Sequence, residues 1–82
     1  MATDDARKAT DAELDILNVL WQVGPSTVRA VHDAMTRLRD IRYTTTLKTL
    51  QVMTGKGLVS RDESSRAHIY AAAVGQRETQ RS

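Results

Sequence analysis

The spacing of apolar residues changes at Gly57: before it they recur three and four positions apart, and after it they alternate with polar ones. A chain with that pattern builds helices first and a short β-hairpin last. Gly24-Pro25 cuts the helical part. Upstream, Leu14, Leu17, Leu20 and Trp21 make an apolar stripe, widened by Ile16, on a helix ending near Val23. Thr10 and Glu13 have the spacing of a capping box, which satisfies two backbone amides, and Asp11 and Glu13 suit the positive end of the helix dipole. Downstream, Ser26 or Thr27 caps a second helix with Val28, Val31, Met35 and Leu38 on one stripe and Arg29, His32, Asp33 and Arg37 opposite. The pattern fades over residues 39–42, which marks a connection.

Thr44 caps a third helix running to about Lys56, with Gly57 as its stop. On a wheel of about 100° per residue, Thr46, Leu47, Leu50, Met53 and Thr54 share the core side. Thr44, Thr45, Lys48, Gln51 and Val52 share the other, with Thr49 at the edge. Beyond Gly57, Leu58 to Arg61 reads as a strand, Asp62-Glu63-Ser64-Ser65 as a polar turn, and Ala67 to Ala71 as the returning strand. A lone hairpin is unstable in water, so this one packs on the helices, through Val59 and Ile69. The expected fold is mainly α with small β: a winged helix-turn-helix of three helices and a C-terminal hairpin wing, over residues 10–74. Residues 1–9 read as a disordered tail, and residues 75–82 as the start of a linker or helix.

Composition narrows the function. The 82 residues make one domain, and without cysteine there is no disulfide and no thiolate metal site. No apolar run approaches the ~20 residues that span a bilayer, and the polar N-terminus has no signal-peptide core, so a cytoplasmic protein is expected. His32 and His68 have no ligand cluster beside them, and no phosphate loop, catalytic carboxylate pair or activated nucleophile is present. The expectation is therefore no enzyme, no metal and no cofactor. The net charge of +2 is unevenly spread. Residues 1–25 are acidic, whereas residues 26–70 carry eight cationic side chains against four acidic ones. That distribution suits a polyanion partner, or an ordinary solvated surface.

The third helix carries more information. Between Arg42 and Gly57 there is no Asp or Glu, and the outward face is hydroxylic with a lysine and a glutamine. Such side chains bond phosphates and base edges, so Thr44, Thr45, Lys48 and Thr49 are candidate base contacts for a helix in a major groove. The other reading is a plain threonine-rich surface. Arg42 and Tyr43 are candidate phosphate contacts, with Arg29 beside them. Tyr43 reads equally as a hydrophobic staple against Leu47. Val52 suits a thymine methyl or is a tolerated exposed apolar residue. At the hairpin, Arg61, Arg66 and His68 flank the tip, and Arg66 and His68 are candidate DNA contacts. The tip acids Asp62 and Glu63 repel phosphate unless they pair with Arg61 or Arg66.

Four stretches in order carry a family resemblance: Thr10 to Trp21 (TDAELDILNVLW), Pro25 to His32 (PSTVRAVH), Tyr43 to Leu50 (YTTTLKTL) with Lys56-Gly57-Leu58-Val59, and Arg66 to Tyr70 (RAHIY). Together they resemble the penicillinase and methicillin-resistance repressors, the BlaI/MecI/CopY family. The resemblance implies a bacterial winged-helix repressor of dyad operators, with TACA/TGTA half-sites, read by the helix matching Thr44 to Lys56. It also implies a homodimer held by a further C-terminal region, and release from DNA through a membrane sensor-protease. Val52 departs from it, standing where many relatives carry arginine, and the lack of cysteine departs from the copper-sensing branch. The leading reading is thus a repressor's domain that binds double-stranded operator DNA, without membrane insertion. The alternatives are a winged-helix protein-interaction module without DNA binding and a small-molecule-sensing regulator. The acid-free third helix disfavours the first, and the scarcity of aromatics to line a pocket the second.

Overall fold

A computed structural model describes residues 8–64, 66–75 and 80–81. In chain order the elements are β1 (Lys8–Ala9), α1 (Asp11–Val23), β2 (Ser26–Thr27), α2 (Val28–Thr36), α3 (Tyr43–Lys56), β3 (Val59–Asp62), β4 (Ile69–Ala72) and β5 (Gln80–Arg81). Three helices and a small antiparallel sheet form a winged helix.

Local chemistry sets most helix ends. The capping box of α1 is complete: Glu13 N–H donates to Thr10 Oγ1 at 3.2 Å, and Thr10 N–H to Glu13 Oε1 at 3.0 Å. Thr27, not Ser26, caps α2, accepting from Ala30 N–H at 3.1 Å. Ser26 turns its hydroxyl to the Gly24 carbonyl, 2.9 Å away. At the end of α3, Gly57 takes the left-handed conformation (φ 80°). Leu58 N–H then reaches Met53 O at 2.9 Å and Gly57 N–H reaches Thr54 O at 3.1 Å, a Schellman motif that seats Leu58 in the core beside Met53.

Two helix ends differ from the sequence reading. Arg42, not Thr44, is the N-cap of α3: its backbone is extended (φ −83°, ψ 153°) and its carbonyl accepts Thr46 N–H at 3.0 Å. Thr44 therefore lies inside the first turn. At the other boundary α2 stops at Thr36, so Leu38 leaves the apolar stripe and stands 58% exposed. The turn there bends Arg39 back onto Asp15 of α1, at 2.8 Å.

The core joins Ile16, Leu17 and Leu20 of α1, Val31 and Met35 of α2, Leu50 and Met53 of α3, and Leu58, Val59 and Tyr70. Leu14 and Trp21 flank it half-buried, and Trp21 Nε1 donates to the Val74 carbonyl at 2.9 Å. The sheet order is β2–β4–β3, antiparallel throughout, so the hairpin gains a third strand that the sequence did not signal. Two residues are too few to show a period, and Ser26-Thr27 become a strand only because β4 lies alongside. The wing packs through Val59 as expected but through Tyr70 in place of Ile69. Pairing Val59 with Ala72 and Arg61 with Tyr70 puts Tyr70 on the core face of β4, whereas Ile69 opposes Thr27 and Asp62. A one-residue change of register swaps faces.

The tail expected over residues 1–9 ends in β1, where Ala9 is fully buried; residues 1–7 lie outside the described residues. β1 pairs in parallel with β5, within the stretch read as a linker or helix start, whose residues 76–79 and 82 also lie outside the described residues.

Candidate nucleic-acid interface

The surface of α3 follows from the same packing that buries its other side. Thr46, Leu50 and Met53 are fully buried, while Leu47 and Thr54 are half-buried. Opposite them, Thr44, Thr45, Lys48, Gln51 and Val52 are exposed, and Thr49 lies half-buried at the edge. Thr49 Oγ1 donates to the Thr45 carbonyl at 2.7 Å, which uses its proton inside the helix and leaves its lone pairs to accept.

Two grooves flank this helix. One, of about 460 Å³, lies against the start of α1 and is lined by Thr10, Ala12 and Glu13 together with Thr44, Thr45, Lys48, Thr49 and Val52. The other, of about 440 Å³, runs between α3 and the wing. It gathers Arg29 at the start of α2, Tyr43, Leu47 and Gln51 of α3, and Arg61, Arg66, His68 and Tyr70 of the hairpin. Residues separated along the chain thus converge: candidate base contacts line the first groove, and Arg29, Tyr43, Arg66 and His68 line the second. Arg42 stands exposed at the N-cap between α2 and α3.

Charge pairing sharpens this division. The three ion pairs among the described residues take up Arg39 with Asp15, Lys56 with Glu13, and Arg61 with Glu63. Arg29, Arg42, Lys48 and Arg66 have no acidic partner among the described residues, so their charge is available to an anion. The tip acids are engaged locally. Glu63 pairs with Arg61, and Asp62 accepts Ser64 N–H at 2.9 Å. Ser64 holds the Asp62 carboxyl below its usual range, and the Tyr70 side chain, followed by Glu63, raises Arg61 above its own.

Tyr43 is the first residue of α3, so it does not hold the position of a staple, which precedes the cap. Ile41 occupies that place and packs against the core. Tyr43, 45% exposed, sets its ring in a T-shaped contact with His32, with centroids 5.3 Å apart and planes at 80°. His32 Nδ1 shares a 2.9 Å hydrogen bond with Thr46 Oγ1. His32 therefore faces α3, not the solvated side of α2 expected for it.

The sequence reading did not place Gln51 and Arg61 in the wing cleft, nor find the Glu13–Lys56 pair. Gln51 was legible as outward-facing on the wheel. No signal in the sequence could pair residues 43 positions apart. Among the described residues there is no cluster of potential metal ligands, and no helix is long and apolar enough to cross a membrane.

A profile describing the penicillinase repressor family matches residues 9–82. The transcriptional regulator BlaI of Mycobacterium tuberculosis is 41% identical over 69 residues, in strain CDC 1551 and equally in strain H37Rv. The match covers 83% of this chain and 50% of the relative, so the chain spans about half the length of the curated relatives it matches.

Proposed function

Because the chain belongs to the penicillinase repressor family, whose members are DNA-binding transcriptional repressors and not enzymes, we propose that α3 reads a dyad-symmetric operator from the major groove. The observation that carries this reading is the acid-free exposed face of α3, set between two grooves beside cations without acidic partners.

In this reading Thr44, Thr45, Lys48 and Thr49 meet base edges. Thr49, its proton already used, acts as an acceptor for an exocyclic amine of cytosine or adenine. Lys48 neutralises a phosphate or reaches guanine. Arg42, Tyr43, Arg29, Arg66 and His68 hold the backbone, the last two from the wing. These phosphate contacts set register and supply the salt-dependent share of affinity. Repression is steric, by covering a promoter in the bacterial cytoplasm.

Two copies on a dyad gain the second half-site at high effective concentration, so the whole protein acts as a homodimer. Release through a membrane sensor-protease, implied by the family resemblance, belongs to the same proposal.

The test is a fluorescence-anisotropy titration at two salt concentrations, with a palindromic TACA/TGTA duplex and a scrambled duplex of equal length. Tighter, salt-sensitive binding to the palindrome supports operator reading. Equal weak binding to both means a merely basic surface, or another operator to be selected from random duplexes. No binding at low salt favours a protein-interaction module.

A further inference from the structure

Three helices begin among the described residues, and the one that reads DNA in the proposal above begins differently. Thr10 caps α1 and Thr27 caps α2 with their side chains, but Arg42 makes no side-chain cap bond to α3. The first turn of α3 is held from outside. His32 of α2 bonds the hydroxyl of Thr46 at 2.9 Å and meets the Tyr43 ring in a T-shaped contact, centroids 5.3 Å apart. Thr46 is fully buried. The other threonines with a bonded hydroxyl on this helix, Thr49 and Thr54, donate to their own helix four residues back, at 2.7 and 2.8 Å. Thr46 instead has a partner on the neighbouring helix.

We propose that His32 is a positioning residue for sequence reading: through Thr46 and Tyr43 it sets the first turn of α3, and so controls discrimination between DNA sequences more than attraction to DNA in general. This rests on the DNA-reading function proposed above. Thr44 and Thr45 lie between the two residues that His32 touches, so a shift of that turn moves both candidate base contacts together. Non-specific attraction draws mostly on cations placed elsewhere, Arg29 on α2, Lys48 later in α3 and Arg66 on the wing, and depends on this turn only through Arg42 and Tyr43, so it is less sensitive to such a shift.

Two substitutions divide the contacts. His32→Asn keeps a polar atom near Thr46 and removes the ring; His32→Phe keeps the ring against Tyr43 and removes the bond. In the second, Thr46 can turn its hydroxyl to the Arg42 carbonyl, as Thr49 and Thr54 do with theirs, so folding survives. Each variant is titrated by anisotropy with the palindromic duplex that the parent prefers and with its scrambled counterpart, alongside thermal unfolding. The expected result is a loss of about tenfold on the palindrome, the scale of one spoiled base contact, with a clearly smaller loss on the scrambled duplex, so that the ratio between the two falls. In a Tyr43→Ala background, His32→Asn should then cost less than it does alone. An unchanged ratio between the duplexes, or equal losses on both, overturns the role of His32. A parent that prefers no duplex, even after selection from random sequences, overturns the DNA-reading function itself and this role with it.

Discussion

Glu13 at the start of α1 and Lys56 at the end of α3 form an ion pair with Nζ 3.0 and 3.1 Å from the two carboxylate oxygens. The Glu13 side chain is 5% exposed, and its Oε1 also accepts the Thr10 amide. One carboxylate therefore closes the α1 capping box and ties down the far end of α3. Lys56→Ala leaves that carboxylate buried without its cation. Because the Lys56 side chain is 30% exposed and water can partly replace it, the loss should be about 2 kcal/mol, below the range for a fully buried pair. Glu13→Gln retains an acceptor for the Thr10 amide and should cost less. Thermal unfolding followed by circular dichroism ranks the two; a larger loss for Glu13→Gln would place the pair's value in the carboxylate charge, not in the avoided burial of an unpaired one.

Neighbours in β4 should differ sharply. Tyr70 is 1% exposed in the core, while Ile69 is only half-buried beside β2. Tyr70→Ala should cost about 3–5 kcal/mol as a large buried side chain, and Ile69→Ala far less. Urea titration of both variants checks the register of the wing. Equal losses would mean that β4 does not present its residues to the core in this alternation.

Opposite changes in salt dependence are expected from Lys48 and Glu63. Lys48→Ala should weaken DNA binding and flatten the dependence on log salt by about one unit if it neutralises one phosphate. Glu63→Gln removes the partner of Arg61 in the wing cleft and should strengthen binding, most at low salt. Anisotropy titrations across a salt series measure both. Parent-like slope and affinity in Lys48→Ala would remove that residue from the interface.

The wing turn carries a pH signature. Ser64, through its side chain and its amide, favours ionised Asp62 and holds its carboxyl below the usual 3.8. A carboxyl depressed on folding stabilises the turn above its unfolded pKa, and that contribution is lost as pH falls through the lower, folded value. In an NMR titration, Asp62 should have a midpoint below 3.8, and the Ser64 amide shift should move with it. An ordinary midpoint, with a Ser64 amide that ignores it, would show that the turn does not form in solution.

How much of this was legible depends on the distance between partners. The caps at Thr10, Thr27 and Gly57 were readable because both partners of each bond lie within a few residues. The wheel likewise separated buried Thr46, Leu50 and Met53 from exposed Thr44, Thr45 and Lys48. The start of α3 was not readable: Thr44 is the better capping residue by type, yet the chain arrives extended at Arg42 and Ile41 turns into the core.

By itself the sequence determined the order of helices and hairpin, the acid-free outward face of α3 and most helix ends, because periodicity and capping are local. Only tertiary structure decided that β2 joins the sheet, that Tyr70 and not Ile69 enters the core, and that His32 turns to Thr46. It also chose which cations are spent on Asp15, Glu13 and Glu63 and which remain for an anion. Those outcomes rest on strand register and on pairs far apart in the chain, where many partners are chemically possible and packing admits one.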